Sequence, residues 1–477
     1  MKLELSNIFF YGYLILVMVD YDLAIIGGGT AGYAAALRAA ENNLKVALIE
    51  KDKLGGVCLH KGCIPAKALM ETSTLFSRAH QALRFGIKMQ DLTVDWRATQ
   101  QYKRRVVDEL YGGLVSLVRA RPIDLIEGEA KFASADTLNL DGDGRQISAK
   151  NIIIATGSHF QDLEFAPLSK HILSSDGILE IEELPKSLSI IGGGYIGIEF
   201  GSLFSRLETD VTVIEAAGNI LTNHDQEMCA LLMEQLRKKG MKIETSAEID
   251  QVKDEAQKVE VTIGNSAVTS TFSSDLLLVA VGRAANTKNL GLEKAGVELG
   301  GKGFIKVDEH LRTDSENIFA IGDCINTPQL AHVSYGEGIA VADYIAAGFA
   351  EFPNYSAVPS IVYSEPQLAS VGKTEQQAKE EGINAKVAYF NFGANSRAAI
   401  SLEPQGKVKI VADEADNILG IHILGPDASN LISEAMLVVG WEAKASDLAH
   451  LIHPHPTFSE AIGEAALKLT GKPLHSL

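Results

Sequence analysis

The chain has 477 residues, 46% of them hydrophobic and 22% charged, with a formal net charge of −18. That length exceeds one ordinary core and predicts roughly two to four domains. The acidic balance argues against nucleic acid or an anionic membrane surface as a partner, while four cysteines in so long a chain exclude a secreted disulfide framework.

In chain order, the first feature is Ile8–Val19, an apolar run of twelve, IFFYGYLILVMV. A membrane-spanning helix needs about twenty such residues. A secretory signal would carry a basic start and a small-residue cleavage site, but here there is only Lys2, offset by Glu4. Residues 1–18 are expected to be an N-terminal extension, with Met18 as an alternative start and no stable membrane insertion.

Next comes a pattern written twice. Residues 25–50 read IIGGGTAGYAAALRAAENNLKVALIE and residues 190–215 read IIGGGYIGIEFGSLFSRLETDVTVIE. Each is an apolar strand, a glycine loop, a helix and a second strand ending in glutamate, with the same interval from Gly27 to Glu50 as from Gly192 to Glu215. Gly27 and Gly192 suit the tight turn. Gly29 and Gly194 let the backbone approach a pyrophosphate, and Gly32 and Gly197 let the helix pack closely on the strand. Glu50 and Glu215 would accept hydrogen bonds from a ribose diol. With strand, helix and acid in register, two copies predict two bound dinucleotides. Residues 215–221, EAAGNIL, carry no Lys or Arg, and Glu215 would repel a 2′-phosphate, so the second site is expected to take NAD rather than NADP.

Between the copies, residues 55–65 read GGVCLHKGCIP and hold Cys58 and Cys63. A metal site, two inert thiols or a redox pair would each fit. Metal needs about four ligands; Cys58, His60 and Cys63 offer three, and Cys229 and Cys324 stand singly elsewhere, so no metal is expected. In a straight helix, residues five apart have Cα atoms roughly 8 Å apart, too far for a disulfide. Gly55, Gly56 and Gly62 would let the chain bend before Pro65, which suits the first turn of a helix running through Lys67–Phe76. Cys63 would then lie at a helix N-terminus, where a thiolate is stabilised.

Further on, Asn151–Ser158 reads NIIIATGS and Thr313–Asp323 reads TDSENIFAIGD, strands ending in small residues or an acid that could hold the polyol of a flavin dinucleotide. After residue 350 there is no glycine phosphate loop. Strands are expected at Lys407–Ala412 and Ile418–Leu424, helices at Ser429–Glu442 and Ala445–Leu451. Near the end, His453–Glu460 reads HPHPTFSE. A histidine suits taking protons from thiols near neutral pH.

Together, GGGTAG, GGVCLHKGCIPAKAL, ATG, GGGYIGIEFG, VGRAANT, FAIGD and HPHPTFSE resemble the flavin disulfide reductases, the pyridine nucleotide-disulfide oxidoreductases, and among them the dihydrolipoyl dehydrogenases. The resemblance runs from Tyr21 to the end. It implies an α/β fold of two Rossmann-like dinucleotide-binding domains plus an α+β C-terminal dimerisation domain. The implied boundaries are 19–160 and 286–355 for the FAD-binding part, 161–285 for the NAD-binding part and 356–477 for dimerisation. It implies FAD and NAD as cofactors, with Thr156, Gly157, Gly282 and Asp323 at the cofactor sites. By the same resemblance Cys63 contacts the flavin, Cys58 exchanges with substrate, Lys67 lies near flavin N5 with Glu199 as its ion-pair partner, His455 is the base and Glu460 orients it. The histidine is supplied across a homodimer. The implied partner is a basic subunit-binding segment of a lipoyl-bearing acyltransferase core, and the implied location is cytoplasmic. Tyr195 would either cover the nicotinamide pocket or pack. Glutathione or trypanothione reductase would need a cationic NADP site, and mercuric reductase a cysteine pair near the C-terminus; this chain shows neither. A docking subunit with little activity of its own is the other reading. Two departures, Ala285 in VGRAANT and the unusual AHVSYGEG around Val333–Tyr335, leave local loop geometry open and are expected to miss the electron path.

Overall fold

The computed structural model of the chain describes residues 19–141, 144–265 and 268–476. All of the expected N-terminal extension, 1–18, lies outside them.

The first sheet is parallel in the order Ile123–Glu127, Val46–Glu50, Tyr21–Ile26, Gln146–Ile154. Its central strands are continuous apolar runs, buried on both faces. A late strand, Ile318–Ala320, returns to pair in parallel with Gln146–Ile154. The helix of the first glycine motif, Thr30–Glu41, buries Ala31, Ala34, Ala35 and Ala39. These small residues admit a second helix, Ala331–Ala347, so closely that a Cβ on Gly338 would stand 2.5 Å from the Ala31 carbonyl oxygen. AHVSYGEG is therefore the start of a packed helix and not an irregular loop.

The second sheet repeats the plan: Lys242–Glu244, Asp210–Ile214, Ser187–Ile191, Leu276–Val279 and Ile172–Leu173, all parallel. The chain leaves the first half and comes back through one two-stranded antiparallel ribbon, Ser158–Phe160 against Arg283–Ala285. The C-terminal part is an antiparallel sheet in the order Ser360–Val362, Gln367–Gly372, Ile418–Gly425, Lys407–Ala412, Lys386–Asn391. Helices Ala428–Gly440 and Glu460–Leu469 share its core. The fold is thus α/β with two Rossmann-like units and an α+β C-terminal domain. Among the described residues no helix is long and apolar enough to cross a membrane.

Two packing features position the site. The helix that begins at Cys63 runs to His80, and its Ala66, Leu69, Met70 and Phe76 share a core with Leu188, Ile190, Ile198 and Phe204 of the second unit. Burying each large apolar side chain is worth about 1.5–3 kcal/mol, so these contacts anchor the thiol-bearing helix to the second unit. The C-terminal sheet meets the second unit through Lys409, whose ammonium reaches Asp225 at 2.8 Å, Glu375 at 2.8 Å and Glu227 at 3.2 Å. Lys409 and Asp225 are both all but fully buried, so each requires the other.

Candidate active site

Both glycine loops open onto one cavity of about 2550 Å³ that also contains the two thiols. Gly27 and Gly192 hold φ of 103° and 108°, a left-handed turn that other residues resist. A Cβ on Gly32 would stand 1.8 Å from the Gly27 carbonyl oxygen, and one on Gly197 1.9 Å from that of Gly192. At Gly29 the nearest atom to an added Cβ is 3.9 Å away, and at Gly194 nothing lies within 4 Å. A side chain there would fill space beside the backbone N–H groups of a helix start, the place where a pyrophosphate is held. Both loops fit such a group.

The two glutamates behave alike. Glu50 Oε2 accepts from the Gly28 N–H at 2.6 Å and Oε1 from Asp52 at 2.8 Å. Glu215 Oε2 accepts from Gly193 at 2.6 Å and Oε1 from Ala217 at 2.7 Å. A carboxylate has about four acceptor sites, so each glutamate fixes its loop and retains capacity for hydroxyls of a ligand.

Cys58 lies on a short helix, Gly56–Lys61, and Gly62, at φ −150° and ψ −110°, breaks the chain before the helix Cys63–His80. A Cβ on Gly56 would meet the Gly29 Cα at 2.8 Å, so the thiol segment rests directly on the first glycine loop. Both residues are present as thiols, half-buried in the cavity wall. The Cys58 S–H donates to the Cys63 sulfur, which holds Cys63 below the usual thiol range against the opposing effect of burial, and the Lys67 charge adds to it. The same hydrogen bond and burial push Cys58 up. Of the two, Cys63 is the thiol that ionises more readily. His60 turns away, its Nε2 2.8 Å from the Leu54 carbonyl oxygen. Cys229 and Cys324 are buried, and burial pushes both up to about 12.

Lys67 Nζ donates to Glu199 Oε2 at 2.7 Å, and Glu199 Oε1 accepts from the Tyr363 N–H at 3.0 Å. Burial works against the Lys67 ammonium, but the Glu199 carboxylate outweighs it and keeps the lysine above its ordinary range. This cation lies beside Cys63. Thr156 Oγ1 donates to the Asn286 carbonyl oxygen at 2.7 Å, and Asn286 Nδ2 donates to that of Thr156 at 2.9 Å, stapling the turn that holds Gly157 to the Gly282 segment. Asp323 Oδ2 accepts from Ser158 Oγ at 2.6 Å, and Ser158 Oγ in turn accepts from Arg283 Nε at 2.7 Å. Thr156, Gly157, Gly282 and Asp323 all line the cavity.

His455 and Glu460 form their own pair, with Nδ1 2.8 Å from Oε1, and Glu460 Oε2 accepts from the Thr457 N–H at 2.8 Å. His453 is held separately by Glu434 at 2.7 Å. The His455–Glu460 pair does not line the cavity of its own chain. Its ring is exposed, and beside it Ile452 is 98% and Leu451 58% exposed. Such an apolar stretch fits a surface that another subunit covers.

Several participants escaped the sequence reading. Glu337 is fully buried, accepting from the Gly322 N–H at 2.6 Å and from the Tyr355 hydroxyl at 2.9 Å, and so fixes the turn that presents Asp323. Asn286, Ser158 and Arg283 sit in segments already read as motifs, but their partners lie far off in sequence. The AHVSYGEG segment contributes Tyr335, which accepts from the Tyr33 hydroxyl at 2.8 Å.

Residues 21–338 match the family model described as pyridine nucleotide-disulphide oxidoreductase. The chain belongs to that family. Residues 358–466 match the same family's dimerisation domain, and the chain is a homodimer. FAD and NAD are the cofactors of this family member. Dihydrolipoyl dehydrogenase of Geobacillus stearothermophilus is 42% identical to it, over 96% of this chain and 98% of the relative. The mitochondrial dihydrolipoyl dehydrogenase of Pisum sativum is 40% identical over 96% and 93%. Among solved structures, the HOCl-induced flavoprotein disulfide reductase RclA from Escherichia coli superposes with a TM-score of 0.84 at 29% identity, covering 94% of this chain and 99% of the other.

Proposed function

We propose that the chain oxidises protein-bound dihydrolipoyl groups with NAD, as a component of a 2-oxo acid dehydrogenase complex. The observation that carries this reading is the single cavity in which a polarised thiol pair, the Lys67–Glu199 ion pair and two dinucleotide loops meet. In this reading the first glycine loop holds FAD and the second NAD. FAD held there would supply two-electron transfer between the thiol pair at Cys63 and NAD.

The chain's own residues move the protons and sulfurs. His455, with Nδ1 turned to Glu460, presents Nε2 across the dimer interface to the substrate thiols of the other subunit. It removes a proton from one substrate thiol. The thiolate attacks Cys58 of the oxidised pair, breaking the Cys58–Cys63 bond and freeing Cys63 as a thiolate. His455 loses that proton to solvent and then takes one from the second substrate thiol, whose thiolate attacks the substrate sulfur of that mixed disulfide. This closes the lipoyl ring, and Cys58 leaves with a proton returned by His455. Lys67 holds the Cys63 negative charge throughout. The net charge of −18 supports docking to a basic segment of an acyltransferase core. A thiol pair that must cycle rather than lock supports a cytoplasmic location.

The test is NADH formation from free dihydrolipoamide. Cys58→Ser should abolish it while FAD stays bound and NADH-to-dye electron transfer survives. Undiminished dihydrolipoamide turnover in that variant would sink the relay.

A further inference from the structure

Tyr195 is the first residue of the helix Tyr195–Arg206 and lines the cavity. Glu199 follows it by one turn and so lies on the same helix face. A dinucleotide that runs from the second glycine loop towards Lys67 and the thiols must pass Tyr195 at its reactive end. The tyrosine is not loose there. Its hydroxyl lies 2.6 Å from His224 Nε2, with the two rings tilted at 55° and centred 5.0 Å apart.

His224 is itself fixed on three sides. Its backbone N–H donates to the Leu221 carbonyl oxygen at 2.9 Å, and the Leu221 N–H donates to that of Gly193 at 3.0 Å, which ties the segment to the glycine loop. Its Nδ1 lies 3.2 Å from Ser370 Oγ on the C-terminal sheet. The next residue, Asp225, is the buried partner of Lys409. The imidazole is 4% exposed, and burial, with His422 adding to it against Asp225, pushes it down to about 4. A neutral ring has one donor and one acceptor, and Tyr195 and Ser370 use both.

We propose that His224 is a positioning residue for NAD: by holding the Tyr195 hydroxyl it sets the place of the ring that borders the nicotinamide before the dinucleotide arrives. Fixing a binding wall in advance removes an ordering cost from binding. The proposal rests on the second glycine loop being the NAD site. It does not depend on the dithiol substrate, because NADH-to-dye electron transfer uses the same pocket without the thiols.

The experiment measures that dye reaction in the FAD-loaded dimer. His224→Phe and Tyr195→Phe should each raise KM for NADH about three- to tenfold, the scale of one net hydrogen bond, with kcat changed less than twofold. The double variant should resemble either single one, because both remove the same contact. His224→Gln, which keeps a donor and an acceptor, should recover most of the affinity. If His224→Phe fails to fold, Tyr195→Phe and His224→Gln still decide the question from the two ends of the bond. An unchanged or lowered KM in Tyr195→Phe, or additive effects in the double variant, overturns the proposal. Loss of dihydrolipoamide turnover with this KM pattern intact would count against the proposed substrate and leave His224 its role.

Discussion

Glu50 and Glu215 each have two jobs for one carboxylate in the proposed reading: they accept from the glycine loop behind them, and they would accept from a ribose in front. At Glu215 the second job excludes a 2′-phosphate, and residues 215–221 supply no cation to offset the repulsion. NAD should therefore be preferred over NADP by at least about tenfold in kcat/KM, and equal use of NADP in steady-state kinetics would contradict that. Cys63 offers a pH test. Its thiol is held low first by the Cys58 hydrogen bond and then by Lys67. Removing the cation in Lys67→Met should move the thiolate absorbance titration of the reduced enzyme to higher pH, so less thiolate is present at any given pH. A midpoint that stays put would mean the lysine charge does not reach the sulfur. Much at this scale was readable in the sequence, because glycines, thiols and the HPHPTFSE histidine carry their chemistry in residue type and spacing. Glu337, Asn286 and Tyr335 were not, because each acts through a partner that only the fold brings near.

Among elements, the thiol helix shows what spacing can and cannot fix. Pro65 announced a helix start, and the helix does begin at Cys63, just after the Gly62 break, with Pro65 in its first turn. Helix Ala331–Ala347 was missed because its buried face carries Ser334, Glu337 and Gly338 beside Val333 and Val341, so polar and apolar residues do not separate into stripes. The junction around Lys409 was invisible for another reason: a lysine within a strand gives no sign that three carboxylates will converge on it. Lys409→Met should leave Asp225 buried without a counter-charge and cost about 3–5 kcal/mol in denaturant unfolding. A loss below about 1 kcal/mol would show the pair to be dispensable. Glu227, at the rim of that cluster, is held down to about 2: burial opposes this, but Lys407, Tyr389 and Lys409 outweigh it. Its folded pKa lies below its unfolded one, so its contribution to stability is complete above 4.5 and is lost as pH falls from there towards about 2. Glu227→Gln should lower stability at neutral pH and flatten its decline across that acid window. An unaltered acid limb in the variant would assign the decline to other groups.

At the scale of the whole molecule, the proposed base His455 and the thiol pair stand on different parts of one chain, and exposed Leu451 and Ile452 beside His455 ask for a second subunit. Refolding inactive His455→Gln together with inactive Cys58→Ser subunits should restore part of the dihydrolipoamide activity, since each mixed dimer holds one site with both halves intact. Confirmed heterodimers that remain inactive would place base and disulfide on the same chain. A single sequence shows the motifs of such a site but not their division between two chains, because nothing in the spacing of His455 from Cys58 says which copy it serves. The nesting of the two Rossmann-like units carries a further consequence, for the ribosome. Because the second unit is inserted through the ribbon Ser158–Phe160 and Arg283–Ala285, its parallel sheet is fully translated while the first sheet still lacks Ile318–Ala320 and the Asp323 turn. Domains generally fold as they emerge. The inserted sheet is therefore born complete inside an unfinished host, and a nascent chain holds its second glycine loop before the Asp323 turn exists.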